Sequence, residues 1–441
     1  MSLQFGTDGL RGVAHRDVTV DTVAALGRAG AEILGADDFA VGRDTRESGP
    51  ELSVALHRGV AAAAGRSVDL GVLPTPAVAR WCADEMVAGA MVSASHNPWS
   101  DNGVKLFAPG GLKLGDAAQD RVQQRFDELR RTAVAPVADP HPVDRNRMAT
   151  ERHLDAVIAS LEGRDLAGLR IVVDAANGAA TTVAPAALER LGAETLALHT
   201  HPDGRNINAA CGSTDPASLQ AAVVAADADL GVAFDGDADR MLAVASDGSL
   251  LDGDQIIAIC AIDRQQRMAL PGPAVVVTVM SNLGFRRSMA QRGIEVIDTA
   301  VGDRHVLEAL DERRLSLGGE QSGHVIFRDL ATTGDGLLTA VQLADVLARS
   351  GRTLADLAAE SMQRLPQVLR SVALTARPAD LLAVIAPIVA ASEARIGDRG
   401  RVLVRPSGTE PLVRVMVEAD DDDTARREAE QVVREISGLI A

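Results

Sequence analysis

The sequence predicts an α/β protein of three related mixed α/β domains plus a smaller α+β C-terminal domain, with loops of the first three turned to one central cleft. Three observations predict it. The same punctuation of short β-prone runs and turn residues occurs three times, alanine-rich stretches of helical spacing separate the runs, and the texture changes after roughly Pro366.

The first copy reads FAVGRDTRESG, VDLGVLPTPAV and AGAMVSASHNP; the second RIVVDAANGAA, LALHTHPDG and DLGVAFDGDADR; the third AVVVTVMSNLG, IEVIDTAVGDR and LSLGGEQSGHV. Each run ends in Gly, Pro, Asp or Asn, the chemistry of turns. The stretches VDTVAALGRAGAEILG, TTVAPAALERLG and GDGLLTAVQLADVLARSG lie between them, so strands alternate with helices. In such sheets ligand groups gather beyond the carboxyl ends of the strands, where SASHNP, DGDADR and GEQSGH each fall.

The linker PVADPHPVDRNR divides the first two copies, giving expected domains 1–145, 146–255, 256–365 and 366–441. The last contains RSVALTARPADLLAVIAPIVAASEARI, RVLVRPSGTEPLVRVMVEA and the charged helix DDTARREAEQVVREISGLI.

A chain of 441 residues that is 46% hydrophobic and 24% charged has ample core for several domains. Its net charge of -17 excludes nucleic acid as a partner, since a polyanion seeks excess Lys and Arg. An anionic ligand then needs a local cationic pocket. Lys105 and Lys113 stand out in a chain that hardly uses lysine, and Lys113 reads as compositional drift. The start MSLQFGTDGL has no leader-like pattern and no segment suits a membrane, so a cytosolic protein with no membrane partner is expected. Cys82, Cys211 and Cys260 lie far apart, which argues against disulfides or zinc and for small core residues.

Five loops offer chemistry. In GVAFDGDADRMLAV an apolar strand ends in Asp235, Asp237 and Asp239, which repel one another unless they share a hard cation. An EF-hand is excluded, because Arg240 and Ser246 stand where Gly and Glu are needed; few protein ligands favour magnesium over calcium. An acidic surface turn is the alternative. In GAMVSASHNPWSDNGVKLF, Ser95 stands at a strand end before an Asn-Pro turn, and a phosphate on it would give the aspartates' cation a further ligand. Otherwise it is a capped turn.

The loop VRPSGTEPLVR offers Arg405, Ser407, Thr409 and Arg414 around Gly408, a composition suited to phosphate or to a plain hairpin. GGEQSGHVIF carries Glu320, Ser322 and His324, able to serve sugar hydroxyls. FGTDGLRGV supplies Asp8 and Arg11, while Arg43 and Ser48 of VGRDTRESG are placed outside the site.

The order and joint presence of FGTDGLRG, SASHNP, DGDADR, GEQSGH and RPSGTEP resemble the α-D-phosphohexomutases over essentially the whole chain. That resemblance implies four domains around a cleft. It makes Ser95 the phosphoserine, and Asp235, Asp237 and Asp239 the ligands of one Mg2+ completed by that phosphate. Glu320 and Ser322 would hold the sugar hydroxyls, while Arg405, Ser407, Gly408 and Thr409 grip the phosphate not being transferred. Arg11, Lys105 and Arg240 would line the transfer site, with Lys105 and His324 as candidates for proton transfer.

Through NINAACGSTDP, VGDR and Gln321, the chain is most similar to the bacterial members acting on glucosamine phosphate. The resemblance further implies a hexosamine phosphate substrate, a sugar bisphosphate as activator and a hinging fourth domain, and it allows a homodimer. A mutase for mannose or glucose phosphate, a metal-dependent phosphatase and a non-catalytic sugar-phosphate sensor are the rival readings.

Overall fold

Three sheets repeat one strand order in the computed structural model, which describes residues 5, 9–35, 37–131, 140–374, 380–406 and 412–440. In the first, Phe39–Arg43 runs parallel to Ser67–Val72 on one side and to Gly89–Val92 on the other, and Gly89–Val92 is antiparallel to Asp101–Ala108. In the second, Arg170–Asp174 lies parallel to Glu194–Leu198 and Leu230–Phe234, the latter antiparallel to Met241–Ala245. In the third, Ala274–Thr278 lies parallel to Glu295–Thr299 and Leu317–Gly319, the latter antiparallel to Val325–Phe327.

The loops carrying Ser95, the three aspartates and Glu320 thus occupy one slot. Each joins the last parallel strand to its antiparallel neighbour. Strands Leu10–Val13, Leu112–Lys113 and Val143–Asp144 extend the first sheet, and Leu250–Leu251 extends the second.

Strands covered on both faces must be apolar throughout. Gly89–Val92, Leu230–Phe234 and Ala274–Thr278 are accordingly buried at every residue. Helices are cut to length by their ends. Thr19 Oγ1 accepts from Thr22 N at 3.2 Å to start Val20–Leu34, and Asp252 with Gln255 forms a capping box for Gly253–Gln266. Leu26, Leu52, Leu56, Phe39 and Phe126 pack the first core.

The chain divides into two compact units, Met1–Met280 with Ile294–Ser361, and Ser281–Gly293 with Met362–Ala441. All three repeated sheets lie in the first. The second is an antiparallel sheet with Leu412–Ala419 between Gln367–Ala373 and Gly400–Pro406, covered by helices Leu381–Ile396 and Asp422–Ile440. Helix Leu283–Gln291, which connects strands Ala274–Thr278 and Glu295–Thr299 of the third sheet, is grouped by its contacts with this second unit. The buried carboxylate of Glu418 accepts from Leu283 N at 3.1 Å and from Asn282 Nδ2 at 3.2 Å, anchoring the start of that helix. Among the described residues no helix is long and apolar enough to cross a membrane.

Candidate active site

Ser95 is buried and left-handed, at φ 54°, a conformation that costs a non-glycine residue on the order of 1 kcal/mol or more unless its surroundings impose it. They do so through its backbone. Ser95 N donates to Ser93 Oγ at 2.8 Å, and its carbonyl accepts from Arg46 Nη2 at 2.8 Å and Asn208 Nδ2 at 2.9 Å. Arg46 is fully buried beside Asp44, with Nε 2.9 Å from Oδ2, and donates further to the carbonyls of Asn97, Pro98 and Asp101. A guanidinium has five N–H groups, and here each serves the Ser95 loop or the carboxylate that balances its charge. Opposite the loop, a Cβ on Gly236 would stand 2.6 Å from the Ser95 carbonyl, so only glycine permits the approach.

That approach brings Ser95 Oγ to 2.6 Å from Asp235 Oδ2, to which it donates. Asp237 Oδ2 accepts from Thr75 Oγ1 at 2.6 Å and Lys105 Nζ at 2.6 Å, and Asp239 Oδ2 accepts from Lys105 Nζ at 2.8 Å. One oxygen from each of the three carboxylates lies within 4.8 Å of the others. Burial, then Asp239 and Asp237, push Asp235 up to about 8. Burial pushes Asp237 and Asp239 the same way, but Lys105, with Thr75 at Asp237 and with His324 and Arg240 at Asp239, outweighs it and holds both below the ordinary carboxylate range. Lys105 is itself held above its usual value, its own burial outweighed by the two carboxylates.

The trio fits a hard cation. Asp237 Oδ1 and Asp239 Oδ1 are buried and make no hydrogen bond among the described residues, an expensive state for a carboxylate oxygen that nothing else satisfies. An all-oxygen donor set with few protein ligands suits magnesium.

Arg240 donates from its backbone to Asp235 Oδ1 at 3.2 Å, and its Nε lies 3.9 Å from Asp239 Oδ1. Arg11, on strand Leu10–Val13, is near enough to depress His96 with Arg240 after burial has done most; His96 falls to about 4 and is neutral at pH 7. Its Nδ1 is 3.3 Å from Ser95 Oγ.

The third loop meets the same cluster. His324 is buried, its Nδ1 3.7 Å from Asp239 Oδ1 and its Nε2 3.3 Å from Asp303 Oδ2. Burial opposes its protonation, yet Asp239 and Asp303 raise it above the usual value. Glu320 is raised by burial, and its Oε1 accepts from Gly302 N at 3.2 Å. Ser322 is exposed on the same turn. Gly323, at φ 91°, lets this turn rest on the Met241 carbonyl, which a Cβ would approach to 2.3 Å.

Lys113, read from sequence as drift, is a correction. Its Nζ pairs with Asp303 Oδ2, and both side chains are largely buried. Both lysines of this chain therefore sit on carboxylates of one cluster.

In the second unit Arg405 and Arg414 are direct cross-strand partners. Like charges so placed repel, and burial followed by Arg414 lowers the affinity of Arg405 for its proton. Such a pair invites an anion. Ser407, Gly408 and Thr409 lie outside the described residues, as does Asp8.

Sequence reasoning missed Asp44, Arg46, Ser93, Thr75, His96, Asn208 and Asp303. Their signal is faint: Asp44 and Arg46 follow an apolar strand in alternation, but burial of that pair is not readable from letters. Arg43 and Ser48, placed outside the site, pair with Asp69 at 3.4 Å and accept from Asn102 Nδ2 at 2.8 Å. The three cysteines are free and buried. Cys211 stands near Asp174 and His199, where both Asp174 oxygens already accept backbone N–H groups, of Ala176 at 2.9 Å and Gly212 at 2.8 Å.

The sequence matches the phosphoglucomutase/phosphomannomutase family in all its parts: alpha/beta/alpha domain I over residues 2–133, domain II over 151–248, domain III over 252–365 and the C-terminal domain over 347–435. Phosphoglucosamine mutase of Moorella thermoacetica is 47% identical over 454 residues, covering 100% of both chains. That of Thermobifida fusca is 49% identical, covering 98% of this chain and 97% of its own. Among solved structures, a phosphoglucomutase/phosphomannomutase family protein of Burkholderia thailandensis is similar at TM-score 0.82 and 27% identity, over 98% of this chain and 96% of that one. N-acetylphosphoglucosamine mutase of Aspergillus fumigatus shares the fold, at TM-score 0.71 and 19% identity, over 100% of this chain and 96% of that one.

Proposed function

The chain belongs to the phosphoglucomutase/phosphomannomutase family, and from that premise we propose that it interconverts glucosamine 6-phosphate and glucosamine 1-phosphate through phosphoserine 95. The observation that carries the chemistry is the 2.6 Å contact of Ser95 Oγ with Asp235 inside a cluster of three carboxylates. The amino sugar rests on the relatives, which are 45% to 49% identical over nearly full length and named phosphoglucosamine mutases.

In the forward half-reaction the bond from Ser95 Oγ to phosphorus breaks, and a bond forms from phosphorus to the free sugar hydroxyl, whose proton is taken up by His324, while Lys105, held as an ammonium by Asp237 and Asp239, adds positive charge. In the second half the other sugar–phosphate bond breaks, the phosphoryl group returns to Ser95, and that proton goes back to the sugar oxygen. Asp235, Asp237 and Asp239 would hold magnesium, which supplies charge stabilisation to the phosphoryl group. Arg11 and Arg240 add fixed positive charge, Glu320 and Ser322 take the sugar hydroxyls, and Arg405 and Arg414 take the phosphate at rest. A hexosamine bisphosphate would restore enzyme that has lost its phosphate.

Glucosamine, glucose and mannose 6-phosphates, assayed side by side with magnesium and a bisphosphate primer, test the reading. The amino sugar should have the highest kcat/KM. Equal values on all three would sink the amino-sugar assignment and leave the mutase one standing.

A further inference from the structure

The residues around His324 form a chain of alternating charge running from one domain segment into another. Lys113 follows Leu112 on a short strand paired with Asp101–Ala108, the strand that also carries Lys105. It reaches Asp303, first residue of helix Asp303–Arg313. Next to it the charges are reversed: Arg304 pairs with Asp116 at 2.6 Å and with Glu308 at 2.8 Å. Two opposite ion pairs therefore fix the corner Gly302–Arg304 against the hairpin at Lys113.

That corner touches both candidate groups of the sugar loop. Gly302 N donates to Glu320 Oε1 at 3.2 Å, and Asp303 Oδ2 faces His324 Nε2 at 3.3 Å. The imidazole is also wedged: a Cβ on Gly334 would come within 2.3 Å of its Nε2. With one nitrogen turned to Asp303, the other is turned to Asp239 and the transfer site, 3.7 Å from Asp239 Oδ1. The contact lacks hydrogen-bond geometry among the described residues, so Asp303 acts on the imidazole as a buried opposite charge beside its far nitrogen, which favours this placement of the ring.

We propose that Asp303, anchored by Lys113, is a positioning residue for the mutase reaction: it holds His324 so that Nδ1 meets the transferring proton. This rests on the reading of His324 as a proton-transfer group.

The test uses the full-length, magnesium-loaded, phosphorylated enzyme with glucosamine 6-phosphate. Asp303→Asn should lower kcat by about 10- to 100-fold, the usual cost of removing such a partner, while KM stays within about threefold. Lys113→Met should fall in the same direction and Lys113→Arg should recover most of the loss. In 15N-histidine spectra the ring resonances of His324 should shift in Asp303→Asn. Combined with His324→Ala, Asp303→Asn should add no further loss.

Wild-type kcat in Asp303→Asn beside a slow His324→Ala overturns the proposal alone. So does a double variant whose losses multiply, or a Lys113→Arg as slow as Lys113→Met. Wild-type kcat in His324→Ala overturns the reading of His324 and the proposal with it. Should Asp303→Asn fail to fold by circular dichroism, the two Lys113 variants and their spectra decide.

Discussion

The hydroxyl of Ser95 meets the carboxylate of Asp235 at 2.6 Å although 140 residues separate them. Two loops in equivalent slots of two equivalent sheets make that contact. Its consequences, and those of the groups holding it, can be measured.

Asp235 without a cation has its proton affinity raised to about 8, by burial first and then by Asp239 and Asp237. Its ordinary value is about 4, so the folded state binds this proton more tightly than the unfolded one. The associated stability is complete at acid pH and is lost as pH rises towards about 8. A cation must displace the same proton. Magnesium affinity should therefore weaken by up to about tenfold per pH unit below pH 8, and magnesium should raise Tm more at pH 8.5 than at pH 6. Calorimetric titration in buffers of different ionisation enthalpy should find about one proton released near pH 7. A pH-independent affinity would contradict the assignment.

Arg46 spends every donor on the Ser95 loop and Asp44, and Asp44 is raised by burial even with Arg46 beside it. Arg46→Met leaves that carboxylate buried without its cation, a loss of about 3–5 kcal/mol. Scanning calorimetry should record a lowered midpoint, and kcat should fall because the strained serine loses its clamp. Arg46→Lys should recover only part of both, having no planar fork. An unchanged midpoint in Arg46→Met would remove Arg46 from this role.

Arg405 and Arg414 are direct cross-strand partners, and burial followed by Arg414 lowers the affinity of Arg405 for its proton, as suits a site for an anion. Arg414→Ala should raise KM for sugar phosphate about tenfold or more, while kcat changes less. Steady-state kinetics at two salt concentrations checks it, since a phosphate contact should weaken as salt rises. A lower Tm with unchanged KM would make the pair structural.

The threefold plan was legible because strand runs, turn residues and helical stretches recur in order, and local chemistry sets each of them. Asp235, Asp237 and Asp239 were legible for a related reason: carboxylates so close in sequence must meet in space. Lys113 and Asp303 were not, because their pairing joins segments 190 residues apart, as 303 less 113, through a contact no local pattern encodes. Arg46 was hidden differently. It sits in a segment rich in charges, and only burial distinguishes the one that matters.

The central claim is that Ser95 passes its phosphate to a sugar and takes another back. Enzyme carrying labelled phosphate should be mixed with unlabelled glucosamine 6-phosphate and quenched within one turnover. Label should appear in a hexosamine bisphosphate, and Ser95→Ala, folded by circular dichroism, should take up no label and turn over no substrate. Label emerging as inorganic phosphate, or a labelled and active Ser95→Ala, would contradict it.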